Sequence, residues 1–165
     1  MITKWLEEKR RSGSSYTFQV IDVSEKNKAS EEIIEYIGER ILHAYRSSAL
    51  LKTNFQNKPP KELINYLQEY VFPTIEGIGS QGEISIRKNV RQGDFGETIS
   101  KELIERFRKL HVPFYKLRWK FNNNRSVFCT DIFAHDRGTN FSKLNYYEVK
   151  TRTTFNKQIC IEAHD

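Results

Sequence analysis

Leu144-Asn145-Tyr146-Tyr147-Glu148-Val149-Lys150 carries the aromatic and β-branched residues of a strand. Successive strand side chains point to opposite faces, so Glu148 and Lys150 share one face while Tyr147 and Val149 share the other. Upstream, Ser126-Val127-Phe128-Cys129-Thr130-Asp131-Ile132-Phe133 reads as a second strand, apolar almost throughout yet holding one acid, Asp131. An ionised carboxylate in such a run is costly unless it is paired, bound to a metal or placed at a strand end. If the two strands are neighbours, Asp131 and Glu148 can present oxygens to one divalent cation, with Lys150 one strand repeat away.

Working back from these strands, Arg91-Gln92-Gly93-Asp94-Phe95-Gly96-Glu97 leads into a helix whose apolar positions are Ile99, Leu103, Ile104, Phe107 and Leu110. This reading places Glu97 in the first turn, where an acid complements the helix dipole whatever else it does. Pro113 closes the helix, and Phe114-Tyr115-Lys116-Leu117-Arg118-Trp119-Lys120-Phe121 alternates as a strand with its basic residues on one face. At the far end, residues 158–163 read as a further strand. Earlier in the chain, residues 16–23 form a candidate strand, and Ser30 caps a helix reaching about Leu51 on the spacing of Ile33, Ile34, Ile37, Ile41 and Ala44. Pro60 opens a second helix bearing Leu63, Leu67 and Val71. Residues 76–82 are glycine-rich but lack the Lys-Ser/Thr ending of a phosphate-binding loop, and read as a flexible turn.

The expectation is therefore a single α+β domain spanning 1–165. Residues 1–90 form a mainly helical region, and residues 91–165 a core with a short mixed or antiparallel sheet flanked by helices. The chain has 165 residues, enough for one core without disulfides. It has no apolar run long enough for a membrane span and no opening signal segment, so a cytoplasmic location is expected. Its two cysteines, Cys129 and Cys160, have no zinc-ligand spacing and read as reduced, buried residues. Its four histidines form no H-E-x-x-H arrangement and no Gly-x-Ser-x-Gly elbow is present, which argues against zinc-protease and serine-hydrolase chemistry.

Charge placement is more informative than net charge, which is +6. Between Glu105 and Asp131 no acid occurs, while Lys116, Arg118, Lys120 and Arg125 accumulate. With Arg152 beyond the E-x-K pair, these are candidate phosphate contacts on a nucleic acid. A solvated basic face is the plainer alternative. Mg²⁺ or Mn²⁺ suits the acids, since Mg²⁺ takes one or two carboxylates together with water and substrate phosphate. Such an ion lowers the pKa of a bound water and neutralises transition-state charge. Lys150 would orient that water and stabilise developing negative charge.

The order of an early helix Glu97, a strand Asp131 and the Glu148-Val149-Lys150 strand resembles the PD-(D/E)XK nuclease superfamily over residues 91–163. Thr130 stands where the superfamily's name has proline. More narrowly, Gly93-Asp94-Phe95-Gly96-Glu97, Lys116-Leu117-Arg118, Thr130-Asp131-Ile132-Phe133 and Tyr147-Glu148-Val149-Lys150-Thr151 are similar to the HamA family of the Hachiman antiphage defence system. The resemblance implies a restriction-endonuclease-like core and metal-dependent DNA cleavage. Asp131, Glu148 and Glu97 would be metal ligands, Glu97 as an accessory acid, and Lys150 would complete the catalytic set. It also implies a partner, a helicase-like ATPase similar to HamB, that gates the nuclease. The superfamily pattern continues into a further helix, so the core reads as shortened at its C-terminus. Two alternatives stay open: a catalytically idle module that binds nucleic acid or a partner through its basic and aromatic residues, and a sequence-specific restriction-type enzyme.

Overall fold

The computed structural model describes residues 1–11, 19–126, 130–138, 142–154 and 158. They divide into two compact units, Met1–Glu39 and Arg40–Asp165. The first opens on a short helix, α1 (Ile2–Trp5), and continues into an antiparallel pair, β1 (Leu6–Arg10) and β2 (Ile21–Glu25). Trp5 closes the hairpin by donating its indole N–H to Glu25 at 2.8 Å. The candidate strand at 16–23 is thus displaced toward the chain's C-terminus where it is described, and residues 16–18 lie outside the described residues.

Helix α2 (Glu31–Tyr45) buries Ile33, Ile37, Ala44 and Tyr45, whereas Ile34, also expected on the apolar face, is exposed, since it lies about a quarter turn away from Ile33. The helix expected to reach about Leu51 is in fact two. Ser47 breaks it by accepting from Leu50 N–H, and so caps α3 (Ser48–Phe55). A serine side chain that competes for backbone N–H groups favours a cap over a helix interior. Helix α4 (Pro60–Tyr70) begins at its proline as expected.

The largest departure is α5 (Gln81–Phe107), 27 residues long, which begins well before the expected position. Ser80 caps it, accepting from Glu83 N–H. The spacing Ser80-Gln81-Gly82-Glu83 is that of a capping box, a start signal that the nearby glycines disguise. Glu97 consequently lies deep in the helix, not in its first turn. The helix ends at Phe107, and Lys109 takes a left-handed conformation with φ 59°. The chain therefore turns before Pro113 is reached. Residues 114–121 do not form a strand: Lys116–Trp119 is a 3₁₀ turn with Leu117 buried at its centre.

The two strands of the opening argument are neighbours. β3 (Ile132–His135) pairs antiparallel with β4 (Leu144–Tyr147), with Ile132 opposite Tyr147 and His135 opposite Leu144. Both are shorter than expected, so Asp131 and the Glu148-Val149-Lys150 run stand just outside the ladder. Residues 127–129 and 159–163, and with them both cysteines, lie outside the described residues. Two apolar clusters support this arrangement. One joins Ala44, Tyr45, Val71 and Leu117. The other joins Ile104, Val112, Ile132 and Ala134, with Tyr147 and Val149 packed against it.

Gly96 on α5 meets Thr151, where an added Cβ would fall on the threonine hydroxyl and press on its Cβ and Cγ2. Gly93, one turn earlier, has nothing within 4 Å of such an atom. Two alanine substitutions in one helix should therefore have opposite signs. Gly93→Ala should stabilise by about 0.5–1 kcal/mol through lost backbone freedom in the unfolded chain. Gly96→Ala should lose about 1–3 kcal/mol to overpacking, more than its propensity gain returns, because the clash reaches past the hydroxyl to the branched carbon. Urea unfolding of the two variants checks this, and Thr151→Ala combined with Gly96→Ala should recover part of the loss.

Candidate functional site

Helix α5 buries a polar stripe. Asp94, Thr98, Lys101 and Glu102 are all buried, spaced at helical intervals with Val90 and Ile104. A charge survives such burial only when it is paired and hydrogen-bonded. Asp94 accepts from the Tyr45 hydroxyl and from Lys120 Nζ, the latter at 2.5 Å. Lys101 pairs with Glu105 at 2.5 Å and lies over the Tyr115 ring, 4.6 Å from its centroid. Asp94 was not singled out from the sequence. Its three-residue offset from Glu97 on a helix is the signal that places both on one face.

Beside this stripe three distant parts of the chain converge. Lys116, on the 3₁₀ turn, sets its ammonium 3.1 Å from Glu97 Oε1 and 2.5 Å from Asp131 Oδ1. All three side chains are largely enclosed, 10%, 16% and 12% exposed respectively. The other Asp131 oxygen accepts from Val149 N–H at 2.7 Å, which ties the acid to the E-x-K segment. The ladder's last pair is Ile132 and Tyr147, so Asp131 and Glu148 are the next residues of the two strands. Glu148 itself accepts from Lys150 Nζ at 2.6 Å in a half-exposed pair. Helix α5 also grips the chain beyond: Gly96 meets Thr151, and Gln92, with its amide oxygen turned to the backbone, accepts from Thr153 N–H at 2.8 Å.

Glu97, Asp131 and the 148–150 segment thus come together. Lys116 and Lys120 are drawn into buried ion pairs by the turn that replaced the expected strand. Arg118 stays exposed, its guanidinium stacked on Tyr115 at 4.0 Å and donating to the His43 carbonyl. Arg125 is exposed and pairs with Glu83 at 2.9 Å, and Arg152 is exposed. Among the described residues no three His, Cys, Asp or Glu side chains form a ready cage for a metal ion. What they do form is a pair of hard carboxylates, Glu97 and Asp131, gathered about a cation supplied by the chain itself.

Burial pushes the Glu97 carboxyl up to about 7, against the opposing pull of Lys116, and the neighbouring acids Asp131 and Asp94 add to the rise. Burial likewise raises Asp94, over the opposing effect of Lys120. For Lys116 burial acts downward, but the two carboxylates together outweigh it and hold the ammonium above the ordinary lysine range. A carboxyl whose pKa is higher folded than unfolded binds its proton more tightly in the folded chain. Its contribution to stability is then full below its ordinary value of 4.5 and is lost as pH rises through about 7. In chelator, wild-type stability should fall over that interval by on the order of 3 kcal/mol. Glu97→Gln should flatten the fall, as read by urea unfolding at pH 5 and pH 8.

The HamA family model matches the chain over residues 1–163. Comparison with curated proteins and with solved structures gave no match.

Proposed function

The chain belongs to the HamA family, which ties it to Hachiman antiphage defence, and on that premise we propose that it is a metal-dependent DNA nuclease of the PD-(D/E)XK kind. The observation that carries this reading is the meeting of Glu97 and Asp131 on one cation, with Asp131 hydrogen-bonded to the backbone of the Glu148-Val149-Lys150 run. Three segments far apart in sequence supply these groups, and no requirement of the apolar core asks for them.

The residues fit Mg²⁺ or Mn²⁺ through the chemistry of their donors. Glu97 and Asp131 offer hard carboxylate oxygens already arranged about a positive charge, and Glu148 follows the last residue of β4 as Asp131 precedes the first of β3. When bound, the ion supplies charge neutralisation on the phosphate as the bond breaks. Lys150 would orient an attacking water and stabilise charge developing on the phosphate oxygens. Its pairing with Glu148 fixes the ammonium at the mouth of the strand pair. Phosphate contact beyond the scissile bond falls to the exposed Arg118, Arg125 and Arg152, Arg125 exchanging its exposed pairing with Glu83 for the phosphate, whereas the ammonium groups of Lys116 and Lys120 are enclosed with their carboxylates.

Regulation by a helicase-like ATPase, similar to HamB, is part of the same proposal. The support is the family itself, together with the need to restrain a nuclease in which no base-reading element is evident.

Incubation of purified chain with plasmid, linear DNA and RNA, each with Mg²⁺, Mn²⁺ or chelator, tests the activity. Cleavage should need the metal and vanish in Asp131→Ala, Glu148→Ala and Lys150→Ala variants that still fold. Undiminished cleavage in a folded Glu148→Ala variant would return the chain to a binding role. Adding a HamB-like helicase ATPase to that assay should suppress the cleavage until ATP is supplied, and indifference to it would remove the gating proposal alone.

DNA binding should weaken steeply with salt, because each neutralised phosphate releases counterions. Each of Arg118→Ala, Arg125→Ala and Arg152→Ala should reduce the slope of log affinity against log salt by roughly one. A slope that none of them alters would place the nucleic acid on another face.

A further inference from the structure

We propose that Lys116 is an internal stand-in cation: its ammonium holds Glu97 and Asp131 together in the metal-free protein and is displaced when a divalent cation binds between them. This rests on the nuclease reading above and adds to it a residue that competes for the metal's place.

The geometry is that of a bridged pair and not of two independent ion pairs. One nitrogen lies within 3.1 Å of both carboxylates, which come from α5 and from the residue before β3. With the bridge removed, two carboxylates would face each other across a largely enclosed space, a costly arrangement. The chain's own positive charge therefore preserves the spacing of the two acids before any ion arrives. A lysine suits the task. Its ammonium is a compact point charge on a flexible four-carbon stem, so it can leave without backbone movement. The backbone beneath it is fixed, because Leu117, the next residue, is buried in the cluster of Ala44, Tyr45 and Val71.

Neighbouring groups do not take over the role. Lys120 is engaged with Asp94, and Lys150 with Glu148. Lys116 and a divalent ion cannot occupy the same position, and like charges at contact distance in an enclosed site repel strongly. Binding of the ion must turn the ammonium outward. A lysine that merely braced the fold would have the opposite signature, since its removal would scatter the acids and weaken metal binding.

Calorimetric titration of the full chain with Mn²⁺, for wild type, Lys116→Met and Lys116→Arg, separates the two. Lys116→Met should bind Mn²⁺ on the order of tenfold tighter or more. It should also be less stable than wild type in chelator, and its thermal midpoint should rise further on adding Mn²⁺ than that of wild type. If Lys116→Met is unfolded in chelator, addition of Mn²⁺ should refold it, as seen by circular dichroism. Lys116→Arg keeps the charge and can engage both carboxylates at once, so it should bind Mn²⁺ several-fold more weakly than wild type. Equal or weaker affinity in Lys116→Met, failure of Mn²⁺ to refold it, or unchanged affinity in Lys116→Arg overturns the proposal. If wild type binds Mn²⁺ and the variants follow it, only the competing role of Lys116 is lost. If neither wild type nor Lys116→Met binds Mn²⁺, the metal-dependent reading falls with it.

Discussion

A single ammonium, that of Lys116, is shared by Glu97 and Asp131, and the arrangement of the surrounding elements follows from the need to satisfy it. Taking three charged groups out of water costs several kcal/mol for each before their attraction is counted. Such a triad persists only where the backbone delivers all three to one point and the leftover hydrogen-bonding capacity is met. Here the second Asp131 oxygen is met by Val149 N–H, which brings in the strand that follows. The triad thus fastens α5, the 3₁₀ turn and the mouth of the β3–β4 pair to one another.

Helix α5 is unusual in what it buries. An ordinary amphipathic helix turns an apolar stripe to the core, but this one turns Asp94, Thr98, Lys101 and Glu102 inward between Val90 and Ile104. Each charge, and that of Glu97 beside them, is matched by a partner from its own helix or from residues 111–120: Lys120 for Asp94, Lys116 for Glu97, Glu105 for Lys101 and Lys101 for Glu102. Burying matched charge is weak as a source of stability. The burial of matched charge from Asp94 to Glu102 therefore adds little to stability. The absence of a side chain at Gly96 lets the residue after Lys150 lie directly against the helix.

The acids and the basic residues, which the chain carries in separate blocks, are interleaved by the fold into two populations. Lys116 and Lys120 face inward to carboxylates, while Arg118, Arg125 and Arg152 remain exposed. The division tracks the chemistry of the side chains. Compact ammonium groups enter enclosed pairs on flexible stems, and guanidinium groups, which stack and fork, remain where a phosphate could meet them. Arg118 already shows the stacking half of that behaviour on Tyr115.

Much of the site was legible in the sequence because strand alternation and strand order are local properties. The apolar run with one acid and the E-x-K run following it read as two strands whose pairing was the condition for their acids to meet, and the antiparallel register of β3 and β4 supplies that condition. The membership of the HamA family was legible too, from four short motifs. What the sequence misplaced were boundaries. The alternation of residues 114–121 looks like a strand, yet these residues have no partner strand among the described residues and bury Leu117 in a 3₁₀ turn. The start of α5 was hidden because glycines lower helix propensity locally, while the capping contact from Ser80 and the tertiary packing of the later turns sustain the helix over its full length. Sequence by itself determined which residues carry charge and on which local face each could stand. Only the tertiary structure decided which charges meet, because pairing across 15 to 42 residues depends on where buried apolar side chains such as Leu117, Ile104 and Ile132 bring the backbone to rest.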